Sequence, residues 1–101
     1  MRLDSSGNLG LGVTPSAWDA TIFRTAQIGT GAGSVSLSGR SDGGKDLVLG
    51  SNLYYASSSF KYVANGTATM YRMDGATHAW YYAGNNTSGT GANISFTQAM
   101  T

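Results

Sequence analysis

The sequence predicts an all-β fold, and three observations carry that prediction. Gly, Ser, Thr and Asn fill 45 of the 101 positions, while all five acidic residues are Asp and only one Pro is present. A chain without Glu, poor in Lys and rich in Thr, Ser, Gly and Tyr disfavours helix and suits strands joined by turns. Its apolar residues also alternate, or gather in short runs between turn signals, which is the period of strands.

The elements follow in order. Arg2-Leu3 leads into a polar turn at Asp4-Ser5-Ser6-Gly7-Asn8, where Gly and Asn tolerate positive φ. Leu9 and Leu11 then alternate with Gly10 and Gly12, which places both leucines on one face of a strand. The glycines leave the other face bare, so another backbone can approach there. Thr14 as a cap and Pro15 as a first helical residue predict one helical turn over residues 15–19, with Trp18 packing it onto the sheet. Phe23 to Ile28 reads as a strand and Gly29 to Gly33 as a flexible loop. Ser34 to Leu37 and Asp46 to Leu49 read as strands around a polar turn at 39–45. Leu53-Tyr54-Tyr55 and Phe60 to Val63 flank a serine turn. Thr69 to Met73 and Ala76 to Tyr82 flank Asp74-Gly75, a dipeptide favoured in type I′ hairpin turns. A Gly/Asn/Thr loop follows to Asn93, and Ile94 to Thr97 reads as the last strand. So many short strands fit a sandwich, a prism or an intertwined fibre segment.

Leu, Ile, Val and Phe together supply only 17 residues. That is few for a self-sufficient core, yet a net charge of +1 and 11% aromatic residues argue against disorder. Burial against identical copies resolves the shortage, so an oligomer is expected. At this length the chain, residues 1–101, reads as a single module. Having no cysteine, it carries neither a disulfide scaffold nor a thiolate metal site, as suits a reducing cytoplasm. No apolar run is long enough for membrane insertion, and the near-neutral charge offers no basic stripe for nucleic acid.

Several motifs invite chemistry. Gly39 to Lys45 nearly fits the phosphate loop GxxxxGK, but the next residue is Asp46 where that loop needs Ser or Thr for magnesium. An ordinary turn is the better reading. Asp42 and Asp46 form a conceivable glycosidase pair, though a turn residue and a strand start describe them more simply. His78 is the only histidine, so one chain alone cannot build a histidine metal cluster, although a three-fold axis could gather three copies. The plain reading is a packed sheet residue, and no cofactor is expected. Tyr54, Tyr55, Tyr62, Tyr71, Trp80, Tyr81 and Tyr82 remain as the one aromatic set suited to stacking sugar rings. Alternation turns about half of them inward. Trp80 is expected at a core or interface, and Tyr55, Tyr81 and Tyr82 are the candidate glycan-binding residues.

Residues 1–12, MRLDSSGNLGLG, resemble the RMRIDSSGNVGIGTTSP signature of bacteriophage tail fibres and tailspikes. The resemblance extends through LGLGVTPSAW (9–18), LVLGSNLYYASSSFKYVANGTATMYRMDGATHAWYYA (47–83) and ANISFTQAMT (92–101). Those stretches are similar to the β-rich module that precedes a C-terminal intramolecular-chaperone domain in predicted phage and prophage fibres. The helical, acid-rich character of that chaperone has no counterpart here. The resemblance implies an intertwined homotrimeric β-prism or fibre-like module, non-enzymatic, in the virion tail fibre and assembled in the bacterial host cytoplasm. It implies a shaft or receptor-binding role toward host cell-surface polysaccharide. The alternatives are a fragment of a capsule-depolymerising tailspike and a bacterial trimeric adhesin stalk. It further implies that residues 97–101 precede another LDSSGN unit, the chain being one module of a longer fibre.

Overall fold

A computed structural model describes residues 1–100 as a two-layer all-β slab, with principal extents of 34 × 34 × 21 Å. Thr101, the last residue of the expected joint between modules, lies outside the described residues. Ten strands form: β1 (Arg2–Leu3), β2 (Leu9–Leu11), β3 (Phe23–Ile28), β4 (Val35–Arg40), β5 (Asp46–Ser51), β6 (Leu53–Ala56), β7 (Ser59–Tyr62), β8 (Gly66–Asp74), β9 (Thr77–Asn86) and β10 (Thr97–Met100). Eight of them make one sheet in the order β1-β2-β3-β4-β5-β8-β9-β10, and β6 with β7 makes a separate hairpin. Every pairing is antiparallel except β2 with β3. No helix among the described residues is long and apolar enough to cross a membrane.

The parallel pair needs a crossover, and residues 12–22 supply it. The predicted helical turn at 15–19 does not form. Gln27 intervenes: its Oε1 accepts the Ser16 amide at 2.9 Å and the Trp18 indole N–H at 3.3 Å, and its amide donates to Ser16 Oγ at 3.2 Å. These bonds across nine to eleven residues hold the segment in a non-helical path and press Trp18 into the core beside Phe23. The only helical piece among the described residues is a 3-10 turn at Gly31–Gly33, inside the stretch expected as a flexible loop. The backbone that approaches Gly10 belongs to the same chain. A Cβ there would lie 2.1 Å from the Val13 carbonyl oxygen and 2.9 Å from Pro15 Cδ.

Three excursions cover one face of the large sheet, hereafter the inner face. The crossover brings Trp18, the β6–β7 hairpin brings Leu53, Tyr55 and Phe60, and the return after β9 brings Ile94 and Phe96. They close over Phe23, Val48 and Met70. Asn52, at φ 61°, fixes the hairpin's root: its amide donates to the carbonyls of Ala64 (3.1 Å) and Thr67 (3.0 Å) and its oxygen accepts the Ala64 amide at 2.9 Å. The expected last strand at 94–97 shifts to 97–100, because Ile94 and Phe96 are drawn down, half-buried, against the core while Asn93 bridges Lys61. The β8–β9 hairpin also turns one residue later than expected. Asp74 pairs with Thr77, leaving Gly75-Ala76 as the loop, and only Gly75 has positive φ, the pattern of a type II′ turn.

Candidate functional site: the uncovered sheet face

Strand alternation sends every second residue of the large sheet to the opposite, outer face. Register fixes what stands there. Leu3 pairs with Leu9, Leu9 with Ala26, and Ala26 with Leu37. Leu37 then pairs with Leu49, Leu49 with Tyr71, Tyr71 with Trp80, and Trp80 with Met100. One apolar row therefore crosses all eight strands from edge to edge. A second row runs beside it, from Leu11, Ile28 and Val35 through Ser51 and Thr69 to Tyr82 and Thr97. Neither row contains a charged side chain.

No part of the described chain covers these rows. Leu37 is 50% exposed, Trp80 42% and Tyr82 52%, although each is large and apolar or aromatic. Between β3 and β10 the face forms an open hollow of about 670 Å³ floored by Leu37, Leu49 and Tyr71 and flanked by Ile28 and Tyr82. Within it Tyr71 packs on Trp80 at 4.8 Å between ring centroids. At the margin Tyr71 stacks with His78, centroids 6.0 Å apart, and its hydroxyl bonds His78 Nδ1. No group of three or more metal-ligating side chains occurs among the described residues.

The three candidate glycan residues do not converge. Tyr55 packs edge-on against Phe23 and Phe60, at 5.3 and 5.0 Å, and Tyr81 lies against Phe96 at 6.1 Å. Both are half-buried on the inner side, whereas Tyr82 stands on the outer face. Trp80, expected at a core or interface, stands more open than Tyr55 and Tyr81, because the hairpin and the return loop fold over the inner face and nothing among the described residues folds over the outer one. The residues missed by the sequence reading are Leu37 and Leu49; Tyr71 stood in its aromatic set without being singled out. A signal for them exists in Leu47-Val48-Leu49, apolar on both faces of its strand, as in sheets covered on both sides.

The carboxylates are committed elsewhere. Asp46, its side chain 2% exposed, takes Arg40 Nη1 at 2.6 Å and a fork from Arg72 at 3.0 and 2.9 Å. Burial pushes its carboxyl up, but the hydrogen bonds from Arg72 and Arg40 outweigh burial and hold it below the usual carboxylate range. Asp42 binds Arg40 at 2.8 and 2.5 Å and accepts the Gly44 amide at 3.0 Å, which pulls it down to about 2. The stretch resembling a phosphate loop is thus a turn tied by its own ion pairs. Asp4 likewise closes its turn through the amides of Asn8 (2.8 Å) and Ser6 (3.0 Å), which lowers its pKa. Comparison with protein-family models, curated proteins and solved structures found no match.

Proposed function

We propose that the chain is a non-enzymatic structural and host-recognition module of a phage tail fibre, joined to copies of itself as a homotrimer through its outer sheet face. The apolar row crossing all eight strands carries this reading. The large side chains of that row and the one beside it, Leu37, Trp80 and Tyr82 among them, stand 42–52% exposed in one contiguous band, whereas exposed apolar residues on a monomer's surface are ordinarily scattered singly. Burial between copies also accounts for a core with so few aliphatic residues.

The sequence resemblance supplies the rest of the proposal: a place in the virion fibre after assembly in the host cytoplasm, and host-surface polysaccharide as the partner. Three copies on one axis would multiply weak sugar contacts through effective concentration. The depolymerase alternative gains no support from Asp42 and Asp46, since Arg40 holds both. An adhesin stalk would use the same face and differs only in its bearer.

Sedimentation equilibrium tests the core of the proposal. The expected species is a trimer, converted to monomer by Leu37→Asp, and a wild-type monomer at tens of micromolar would overturn it. A glycan array with the trimer then decides between receptor contact and shaft.

A further inference from the structure

Resting on the reading of the outer face as a contact between copies, we propose that His78 and Tyr71 form an acid-sensitive latch on that contact, closed while the imidazole is neutral and released when it takes up a proton. His78 is the chain's only histidine, and an imidazole is the side chain that ordinarily changes charge between pH 5 and 8. It stands two residues before Trp80 on β9, so alternation sets both on the outer face. Its ring stacks on Tyr71 with the planes 30° apart. Tyr71 in turn packs on Trp80 and floors the apolar hollow. The imidazole therefore reaches the band through one hydrogen-bonded tyrosine.

The bond between the Tyr71 hydroxyl and His78 Nδ1 has a direction, and the proton sets it. A neutral ring with its hydrogen on Nε2 accepts at Nδ1, and the phenol donates. An imidazolium carries hydrogen on both nitrogens and must donate at Nδ1, so the phenol becomes the acceptor and its own hydrogen turns away. Tyr71 is flanked in its row by Leu49 and Trp80, neither of which offers an acceptor. Water takes that hydrogen while the face is open. Against the apolar band of another copy nothing does, and a buried donor is left unsatisfied.

The imidazolium also lacks a counter-charge on its own face. Its cross-strand row runs Arg24, Gly39, Leu47, Met73, His78, so the other ionisable side chain in it is a cation. Lys45, whose carbonyl accepts the Gly75 amide beside the β8–β9 turn, is a second cation at that end. The carboxylates there, Asp46 and Asp74, alternate to the inner side. Arg40 and Arg72 hold Asp46, and Asp74 raises the pKa of Arg72. Tyr71 is the titratable group that His78 touches.

Sedimentation equilibrium at pH 8 and pH 5 reads the latch. The fold itself persists at pH 5, because Asp4, Asp42 and Asp46 all titrate below the usual carboxylate range. The wild-type trimer is expected to lose about tenfold in association for each copy, about a thousandfold in all. His78→Asn keeps an acceptor near the place of Nδ1 and takes no proton, so its association constant should be the same at both pH values. Tyr71→Phe keeps the imidazole without the hydroxyl and should retain only part of the drop; a full drop removes the tyrosine from the latch. A wild-type trimer equally tight at pH 5, or a His78→Asn trimer that dissociates as the wild type does, overturns the proposal. The single imidazole also titrates as one NMR signal. Linkage requires it to protonate about one pH unit lower in the trimer than in the monomeric Leu37→Asp variant, and equal midpoints likewise overturn the latch. A wild-type chain already monomeric at pH 8 removes the self-assembly reading as well, whereas a trimer indifferent to pH removes the latch alone.

Discussion

Asp46 ties three strands together, since Arg40 lies on β4, Asp46 begins β5 and Arg72 lies on β8. Removing the charge while keeping the shape leaves two guanidinium groups facing an uncharged amide. Asp46→Asn should therefore lower unfolding stability by about 2–4 kcal/mol in urea titration, somewhat less than a fully buried pair because both arginines keep partial contact with water. The pH dependence has a definite sign. Asp4, Asp42 and Asp46 all have folded pKa values below their unfolded ones, so their contribution is complete above the unfolded value. It is lost as pH falls through the folded values. The urea midpoint should hold steady from neutral pH to about 5 and fall between about pH 4 and pH 2. Asp46→Asn should flatten part of that fall. Ser36 behaves in the opposite sense: its hydroxyl is buried with no hydrogen-bond partner among the described residues. Ser36→Ala should cost nothing and gain up to about 1 kcal/mol by the same titration. None of these roles was legible from residue type alone. Asp42 and Asp46 are close enough in sequence to suggest a catalytic pair, and only the pairing of β4, β5 and β8 reveals that Arg40 and Arg72 hold Asp46.

At the scale of elements, the strands were readable wherever alternation met turn residues, as in β3, β6, β7 and the β8–β9 hairpin. The reading failed where distant partners outweighed local preference. Thr14-Pro15 is a sound helix start, but a single buried Gln27, nine to eleven residues away, offers Ser16 and Trp18 better hydrogen bonds than one isolated turn could. Ile94 reads as a strand residue because it is β-branched, and tertiary packing instead lays it, half-buried, against the core. The β6–β7 turn shows a local conflict that folding overrides. Ser57 and Ser58 both hold positive φ, 51° and 65°, as a type I′ turn demands, though serine does not favour that region. Replacing the pair by Asn-Gly should raise stability by about 1 kcal/mol, read as a higher urea midpoint with an unchanged slope. A lower midpoint would mean that the serine side chains stabilise the turn in a way their backbone angles do not reveal.

For the molecule as a whole, the informative asymmetry is between the two faces of one sheet. Three connections that differ in length and composition all fold to the inner side, and the outer side keeps an uncharged apolar band. The sequence reading expected burial between copies from the scarcity of aliphatic residues, but could not say which face of the sheet stands open, because β5 is apolar on both sides and alternation alone does not tell in from out. The chemistry of the band makes the proposed assembly distinguishable from one held by ion pairs. An interface built on Leu37, Leu49, Tyr71 and Trp80 has no charged pairs to screen, and excluded salts strengthen apolar burial. Raising sodium sulfate from about 0.05 to 0.5 M should hold the association constant level or raise it. Cooling from about 25 to 5 °C should weaken association, with a negative heat-capacity change measured by dilution calorimetry. A trimer that dissociates as salt rises would place its contact on charged surface instead, away from these rows.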